Sequence, residues 1–286
     1  SSNSNTGTSS GMTAANLVQS TLNITTPYSR YALDFDGTND YIDLGTISLG
    51  STFSLSTWIK PNAFSASSNI IFGGGAGNYA MYIPSSTVIW VNFGGGFHNF
   101  TVPSISTSDF THILFTRTGA NGELFVNGVS QGTTSALGTN TFTVNYLGSE
   151  NQTGATRYYF NGSISNVSIW NAALTSAQVT EIYNNKVPTN LNTHSAYSNL
   201  VSWWQLGENS SFDGTNWTVL DEKGTNNGTS ANMTEADLVN GVGTSANGLS
   251  DGMGGADNII GDAPYSTANA VSYGMGVDAK STSVPS

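Results

Sequence analysis

The sequence predicts an all-β fold, a two-sheet antiparallel jelly-roll sandwich with one short edge helix and extended terminal segments. Short segments of alternating apolar and polar residues recur along the chain between turns rich in Gly and Asn. Helical spacing is confined to two short segments. A chain of 286 residues has room for one large domain with a sizeable core. Many antiparallel strands in a chain of this length favour a sandwich.

The strands are identified by their period-2 alternation. The segment "FSLSTWIKP" places Phe53, Leu55 and Thr57 on one face and Trp58 on the other. Asn127-Gly128 lies between two such runs and is the strongest short hairpin signal in the chain. The remaining predicted strands lie in "YALDFDG", "THILFTR", "GELFVNGVSQG", "FTVNYLG", "YYFNGSISNVSIW" and "LVSWWQLGE".

One helix is predicted over Thr175–Asn185, with Thr175 or Ser176 as its N-cap. Val179, Ile182 and Tyr183 have the i, i+3, i+4 spacing of an apolar helix face. We expect this helix to pack on the edge of the sandwich. A second, shorter helical pattern covers Thr13–Leu22.

Composition and charge exclude several classes of protein. Charged residues make up 9% of the chain, and the formal net charge is -11. The seven basic residues are dispersed singly, so no nucleic-acid partner is expected. No apolar run approaches a membrane span, and the first residues lack the pattern of a signal peptide. Without cysteine there is no disulfide, thiolate metal site or Cys nucleophile.

Three regions are predicted: an N-terminal arm (residues 1–28), a jelly-roll domain (residues 29–232) and a C-terminal extension (residues 233–286). The sequence "GMTAANLV" recurs as "NMTEADLV", and "PYSRYALDF" recurs as "PYSTANAVSY". The second copy either adds strands to the same sandwich or begins a further unit. We expect Ala270–Met275 to pair as a strand with the sandwich or with a partner in an assembly.

The segments "LDFDGTNDYIDLG", "FSLSTWIKP" and "FTHILFTRTGANGELFVNGVSQG" resemble the laminin-G-like family of the concanavalin A-like lectin/glucanase superfamily. The resemblance covers roughly Tyr31–Tyr183 and continues through "YLGSENQTGATRYYFNGSISNVSIWNAALTSAQVTEIY". It implies a two-sheet jelly roll with a groove and a loop edge that often carries calcium and ligand. Leu200–Met233 resembles the piece that usually comes first in this family.

The resemblance to the pentraxin branch implies a calcium site at Glu150, Asn151 and Gln152. Ser68 and Asn69 would contribute from another loop. Gln152 is neutral where the family has Asp, and Tyr158 stands near the position of a further Gln ligand. Because calcium takes six to eight oxygens and favours carboxylates, the alternative is a solvated turn. No cofactor other than calcium is expected.

A second acidic segment, "DFDGTNDYID", lacks the Gly and Glu positions of an EF-hand loop. We interpret it as a hairpin in which Asp36-Gly37 turns the chain and Asp40 caps the turn. No catalytic activity is expected, since the Glu-x-Asp-x-x-Glu pattern of the superfamily's retaining glycosidases is absent. The three histidines, His98, His112 and His194, lie far apart in sequence.

Sugar binding requires an aromatic ring beside amide or carboxylate groups, because the C–H face of a sugar stacks on the ring. Two Gly-rich segments offer this combination, and the candidate residues are Trp90, Asn92, His98 and Asn99, with Asn78 and Tyr79 from the other segment. The alternative is that Trp90 and Phe93 fill the core, which the period-2 alternation permits for one face.

The neutral composition and the terminal "GDAPYSTANAVSYGMGVD" resemble structural proteins of marine bacteriophages. This resemblance implies a non-enzymatic decoration or fibre protein on the virion surface, with lectin-like capacity for surface glycans. Its partners would be other virion proteins or copies of itself. The second interpretation is a secreted, extracellular bacterial adhesin that binds glycans, and the third is a glucanase.

Overall fold

The computed structural model describes residues 29–65, 69–74, 79–94, 96–152 and 155–242, with the side chains of residues 79, 151, 152 and 155–157 outside the description. The strands are β1 (Tyr31–Asp36), β2 (Tyr41–Leu49), β3 (Thr52–Pro61), β4 (Ile70–Gly73), β5 (Tyr79–Ser85), β6 (Val88–Val91), β7 (His98–Thr101), β8 (Thr111–Thr118), β9 (Asn121–Val126), β10 (Val129–Thr134), β11 (Phe142–Leu147), β12 (Glu150–Gln152), β13 (Ala155–Arg157), β14 (Asn161–Trp170), β15 (Leu200–Trp204), β16 (Ser211–Phe212), β17 (Trp217–Val219), β18 (Gly228–Ala231) and β19 (Leu238–Asn240). One α-helix, α1 (Ser176–Tyr183), lies between β14 and β15.

The strands form two antiparallel sheets, which confirms the predicted sandwich. The eight-stranded sheet has the order β10-β9-β8-β3-β14-β1-β19, and β15 pairs with β14 beyond the end of β1. The nine-stranded sheet has the order β16-β17-β18-β2-β11-β4-β5-β6-β7. Strands β12 and β13 form a separate hairpin at the end of β11.

The main core lies between the two sheets and follows from the alternation in the sequence. In β3, Phe53, Leu55 and Ile59 are buried against the other sheet. Trp58 belongs to the opposite face and packs 4.9 Å from the ring of His112. Strand β3 is therefore buried on both faces, and its outward face needs a third layer of structure to cover it.

Helix α1 provides that third layer. Val179 and Ile182 pack in a second apolar cluster with Leu114 and Phe125 from the eight-stranded sheet. Tyr183 stacks on Trp58 at 5.8 Å. The helix therefore covers the middle of the outer face, whereas the sequence predicted it at the edge. Among the described residues, no helix is long and apolar enough to span a membrane.

The helix boundaries agree with the local signals in the sequence. The Thr175 side chain accepts a hydrogen bond from the Gln178 backbone, and the Gln178 side chain accepts one from the Thr175 backbone. This capping box satisfies two backbone N–H groups that the first turn leaves unpaired. Asn184 ends the helix in the left-handed conformation, with φ 40°.

The chain after the helix completes the same sandwich. Strand β15 extends the eight-stranded sheet, and β18 pairs with β2 in the nine-stranded sheet. Beyond residue 232, Met233 is 2% exposed and β19 pairs with β1. The predicted strand Ala270–Met275, the predicted helix Thr13–Leu22 and most of both terminal regions lie outside the described residues.

Candidate functional site

An aromatic cluster lies on the outer face of the nine-stranded sheet, near its β7 edge. The rings of Tyr82 and Trp90 are 5.4 Å apart, and Trp90 is also 5.4 Å from the ring of Phe97. Phe97 is 51% exposed, and Trp90 is partly exposed. We call Tyr82, Trp90 and Phe97 the outer aromatic cluster.

Backbone pairing explains why these side chains meet. Trp90 pairs with Tyr82 of β5 on one side and with Asn99 of β7 on the other. Paired residues of neighbouring strands project from the same face of a sheet. Their neighbours Ile89 and Phe100 point inward and belong to the main core. An exposed amide, that of Asn99, therefore stands beside the partly exposed indole.

Two polar groups of the site differ in their hydrogen bonding, the Asn92 side chain and the Nε1 atom of Trp90. The Asn92 side chain accepts a hydrogen bond from the Gly94 backbone at 2.9 Å, which stabilises the turn after β6. The Nε1 atom of Trp90 is buried and has no hydrogen-bond partner among the described residues. An unsatisfied buried donor of this kind costs about 1–3 kcal/mol.

The structure separates His98 from the other predicted sugar-binding residues. His98 pairs with Val91, whose side chain is in the main core, so it projects from the inner face of β7. Its Nδ1 atom lies 2.8 Å from the Thr134 hydroxyl of β10, which joins the edges of the two sheets. His98 is thus held on the opposite face of β7 from Asn99.

The alternative prediction was that Trp90 and Phe93 both fill the core. It is correct for Phe93 and does not hold for Trp90, which is partly exposed. Phe93 is 1% exposed and packs on Phe53, Phe115 and Phe142. Of the second predicted segment, Asn78 lies outside the described residues. The backbone of Tyr79 pairs with Gly73 at the start of β5, and its side chain is outside the description.

Two members of the outer aromatic cluster were not identified from the sequence. Phe97 could have been found, because alternation about the core residue Phe100 places 97 and 99 on the outer face of the β7 segment. Tyr82 could not have been found in this way. Its position beside Trp90 depends on the pairing register of β5 and β6, which no local pattern specifies.

Glu150 of the predicted calcium cluster is fully buried, at 0% exposure. It pairs with Arg157 in the β12–β13 hairpin and follows directly on Ser149. Gly73 of β4 lies so close to this turn that an added Cβ would stand 1.9 Å from the Ser149 carbonyl oxygen. The alternative of a solvated turn therefore does not hold for Glu150.

The Asn69 side chain of the same predicted site hydrogen-bonds to two other segments of the chain. Its Nδ2 donates to the Ala63 carbonyl at 3.1 Å, and its Oδ1 accepts from the Asn161 backbone at 3.0 Å. Among the described residues, no group of three or more acidic or histidine side chains could hold a metal ion. Calcium at Glu150, Asn151 and Gln152 remains a prediction.

The acidic segment after β1 forms a turn, as predicted, but the side chain that caps the turn is that of Asp36 and not that of Asp40. Asp36 makes the turn, since its Oδ1 accepts from the backbones of Thr38, Asn39 and Asp40 at 2.7, 3.0 and 3.3 Å. The Asp40 carboxylate accepts from the Asp36 backbone at 3.0 Å. Partial burial opposes ionisation of Asp36, but the three N–H donors hold its pKa below the usual value.

Two of the three histidines occupy buried structural positions. His112 is 0% exposed, and its Nε2 lies 2.8 Å from the Ser56 hydroxyl. Burial lowers the pKa of His112 to about 3, so the ring is neutral at ordinary pH. The Nδ1 of His194 accepts from the Ala196 backbone at 3.0 Å, which assigns the proton to Nε2, 3.0 Å from the Gln178 carbonyl.

Comparisons with known proteins agree with this architecture. The sequence matches a laminin-G-like family described as belonging to the concanavalin A-like lectin/glucanases superfamily, over residues 36–180. None of the curated protein sequences matches the chain.

Several solved structures are similar. One is a Bacteroides ovatus protein assigned as carbohydrate-binding, with 19% identity, a TM-score of 0.55 and coverage of 75% of this chain. The match spans 60% of the length of that protein. Another is the heptameric pentraxin of Limulus polyphemus, with 14% identity, a TM-score of 0.48 and coverage of 75% of this chain and 95% of that one. Domains LG4-5 of the mouse laminin α1 chain have 14% identity, a TM-score of 0.39 and coverage of 49% and 41%.

Proposed function

Because this chain belongs to the laminin-G-like family of the concanavalin A-like lectin/glucanases superfamily, we propose that it is a carbohydrate-binding domain without catalytic activity. Its binding site is the outer aromatic cluster together with Asn99. The observation that carries the proposal is the half-exposed ring of Phe97, packed on the indole of Trp90 beside an exposed amide.

The chemistry of the cluster suits a sugar. A pyranose ring presents C–H groups on one face and hydroxyls around its rim, so it stacks on an aromatic ring while its hydroxyls reach amides. The indole of Trp90 packs against the ring of Phe97, at 5.4 Å between ring centroids. A ring held in place before binding loses little conformational entropy when the ligand arrives.

The structural roles of two glutamates support a non-catalytic domain. Glu181 accepts hydrogen bonds from the backbone and hydroxyl of Ser195, at 2.8 and 2.6 Å. The Glu208 carboxylate accepts from the backbones of Arg30 and Tyr31, at the start of β1. These carboxylates fasten loops, whereas a glycosidase requires two that converge on a scissile bond. Incubation with laminarin and agarose should release no reducing ends, and release by the purified chain would contradict this part of the proposal.

A glycan array probed with and without calcium tests the binding function. We expect binding by the wild-type chain and its loss in Phe97→Ala, which removes a half-exposed ring. Val129→Ala is the matched control, because Val129 is 63% exposed on β10 of the other sheet. Equal binding by both variants would show that the outer aromatic cluster is not the site. A signal seen only with calcium would point instead to the Glu150 loop.

The biological setting that we propose is the surface of a bacteriophage virion, where the domain would act as a decoration or fibre component. The neutral, hydroxyl-rich composition suits a crowded assembly with few ionic contacts. The partners would then be other virion proteins or further copies of the chain. Mass spectrometry of purified virions tests this setting. A chain recovered only from a bacterial culture medium would favour the extracellular adhesin instead.

A further inference from the structure

The segment that carries the outer aromatic cluster contains no formal charge. From Pro61 to Ser108 the sequence has no Asp, Glu, Lys or Arg, although charged residues make up 9% of the chain. This segment supplies strands β4 to β7 with their connecting loops. All of the charged side chains that give the chain its net charge of -11 therefore lie elsewhere in the sequence.

The tertiary structure extends this neutral region to the rest of the sheet. In the described strands of the nine-stranded sheet, Asp43 of β2 is the only Asp, Glu, Lys or Arg. Strands β11, β4 and β5 separate β2 from β6, which carries Trp90. Four strand spacings amount to about 19 Å. That separation is more than twice the Debye length of about 8 Å at physiological ionic strength. The eight-stranded sheet differs, since it carries Asp34, Asp36, Lys60, Arg117 and Glu123.

We infer that the outer aromatic cluster binds uncharged sugars and discriminates against sialylated, uronic-acid and sulfated glycans. The inference rests on the proposed carbohydrate-binding function and specifies its ligand class. A carboxylate or sulfate on a glycan is recognised through Arg or Lys donors, and the nine strands of this sheet that the structure describes contain neither. Affinity then comes from ring stacking and from amides such as Asn99.

Calorimetric titration of the full chain tests the inference with two probes, the neutral glucan laminarin and the acidic polymer alginate. Each is titrated at 50 and at 500 mM NaCl. We expect laminarin to bind with a dissociation constant that changes by less than about twofold between the two salt concentrations. Alginate should not bind. Phe97→Ala should weaken laminarin binding by about tenfold or more, and Val129→Ala should not.

A charge-gain variant gives the sharpest comparison. Asn99→Lys places a cation beside Trp90 at an exposed position, where it leaves the core untouched. Alginate should bind this variant at 50 mM NaCl and be released at 500 mM, because the new contact is ionic and screened by salt.

The possible results separate the two proposals. Salt-sensitive binding of alginate by the wild-type chain, lost in Phe97→Ala, would overturn the inference and leave the carbohydrate-binding function standing. Failure to bind any neutral or acidic glycan of a broad array, with or without calcium, would overturn both. Laminarin binding that Phe97→Ala does not weaken would also overturn the inference, because the neutral sugar would then bind elsewhere.

Discussion

His112 and Asp40 are both ionisable and buried, and they respond to pH in opposite directions. Burial disfavours the charged form of either group. For His112 this lowers the pKa to about 3. For Asp40, burial and the nearby carboxylates of Asp36, Asp237 and Asp34 raise the pKa to about 6. Protonation on acidification therefore destabilises the fold through His112 and stabilises it through Asp40.

The fold should lose stability on acidification through His112. The unfolded imidazole titrates near pH 6.5, whereas the folded one stays neutral down to about pH 3. The stability is present above pH 6.5 and is lost as pH falls toward 3, since the unfolded chain then binds one more proton. We expect His112→Gln to lose about 2 kcal/mol less than the wild type between pH 7.5 and 5. Urea unfolding at both pH values measures this difference, and parallel losses would contradict the assignment.

Asp40→Asn should stabilise the protein at pH 8 and have no such effect at pH 4. The raised pKa means that the carboxyl favours the folded state below pH 3.8 and that this contribution is lost as pH rises through about 6. An amide keeps an oxygen for the Asp36 backbone N–H and carries no charge. The expected gain at pH 8 is about 1 kcal/mol, discounted for solvent screening. Thermal unfolding across this range should show the gain shrinking with acidification, and a constant gain would indicate a non-ionic cause.

At the scale of single elements, helix α1 depends on its N-terminal capping box. Thr175→Ala removes the hydroxyl that accepts from the Gln178 backbone and should destabilise the protein by about 1 kcal/mol. Ser176→Ala, one residue further on at an exposed helical position, is the matched control and should stay within about 0.5 kcal/mol of the wild type. Denaturant unfolding of both variants measures the difference. Equal effects would mean that the apolar contacts of Val179 and Ile182 alone hold the helix.

At the scale of the whole molecule, the segment after residue 232 contributes to the sandwich. Met233 is 2% exposed in the main core, and β19 covers the edge of β1. A chain of residues 29–242 should therefore be more stable than a chain of residues 29–232, by about 2–3 kcal/mol or more. The shorter chain also exposes the free edge of β1, which favours association. Chemical denaturation and light scattering compare the two chains, and equal stability would show that the segment is dispensable.

Much of the fold was predictable from the sequence because it depends on neighbours along the chain. Alternation placed Phe53 and Leu55 opposite Trp58, as the structure shows. Asn127 and Gly128 adopt positive φ values of 50° and 75° in the hairpin. Such values favour these two residue types. The helix has its N-cap at Thr175, one of the two predicted positions, and its C-cap at Asn184, within the predicted range, for the same local reasons.

Within a strand, alternation also separates the two faces of the candidate site. It indicates that Trp90 projects opposite to Ile89 and that Asn99 projects opposite to Phe100. Alternation does not indicate which face of the strand is covered by another layer, because that depends on elements distant in sequence. The predicted residues Trp90 and Asn99 therefore share the outer face of the sheet, whereas His98, included in the same prediction, lies on the inner face of β7.

The all-β class, the turns and helix cap, and the uncharged segment of residues 61–108 follow from the amino-acid sequence alone. Three further features emerge only when the chain is folded: α1 covers the face of a sheet, Tyr82 lies beside Trp90, and Glu150 is buried. The physical reason is the range of the interactions. Backbone conformation and alternation depend on adjacent residues, whereas strand register and layer packing minimise the exposed apolar surface of the whole chain.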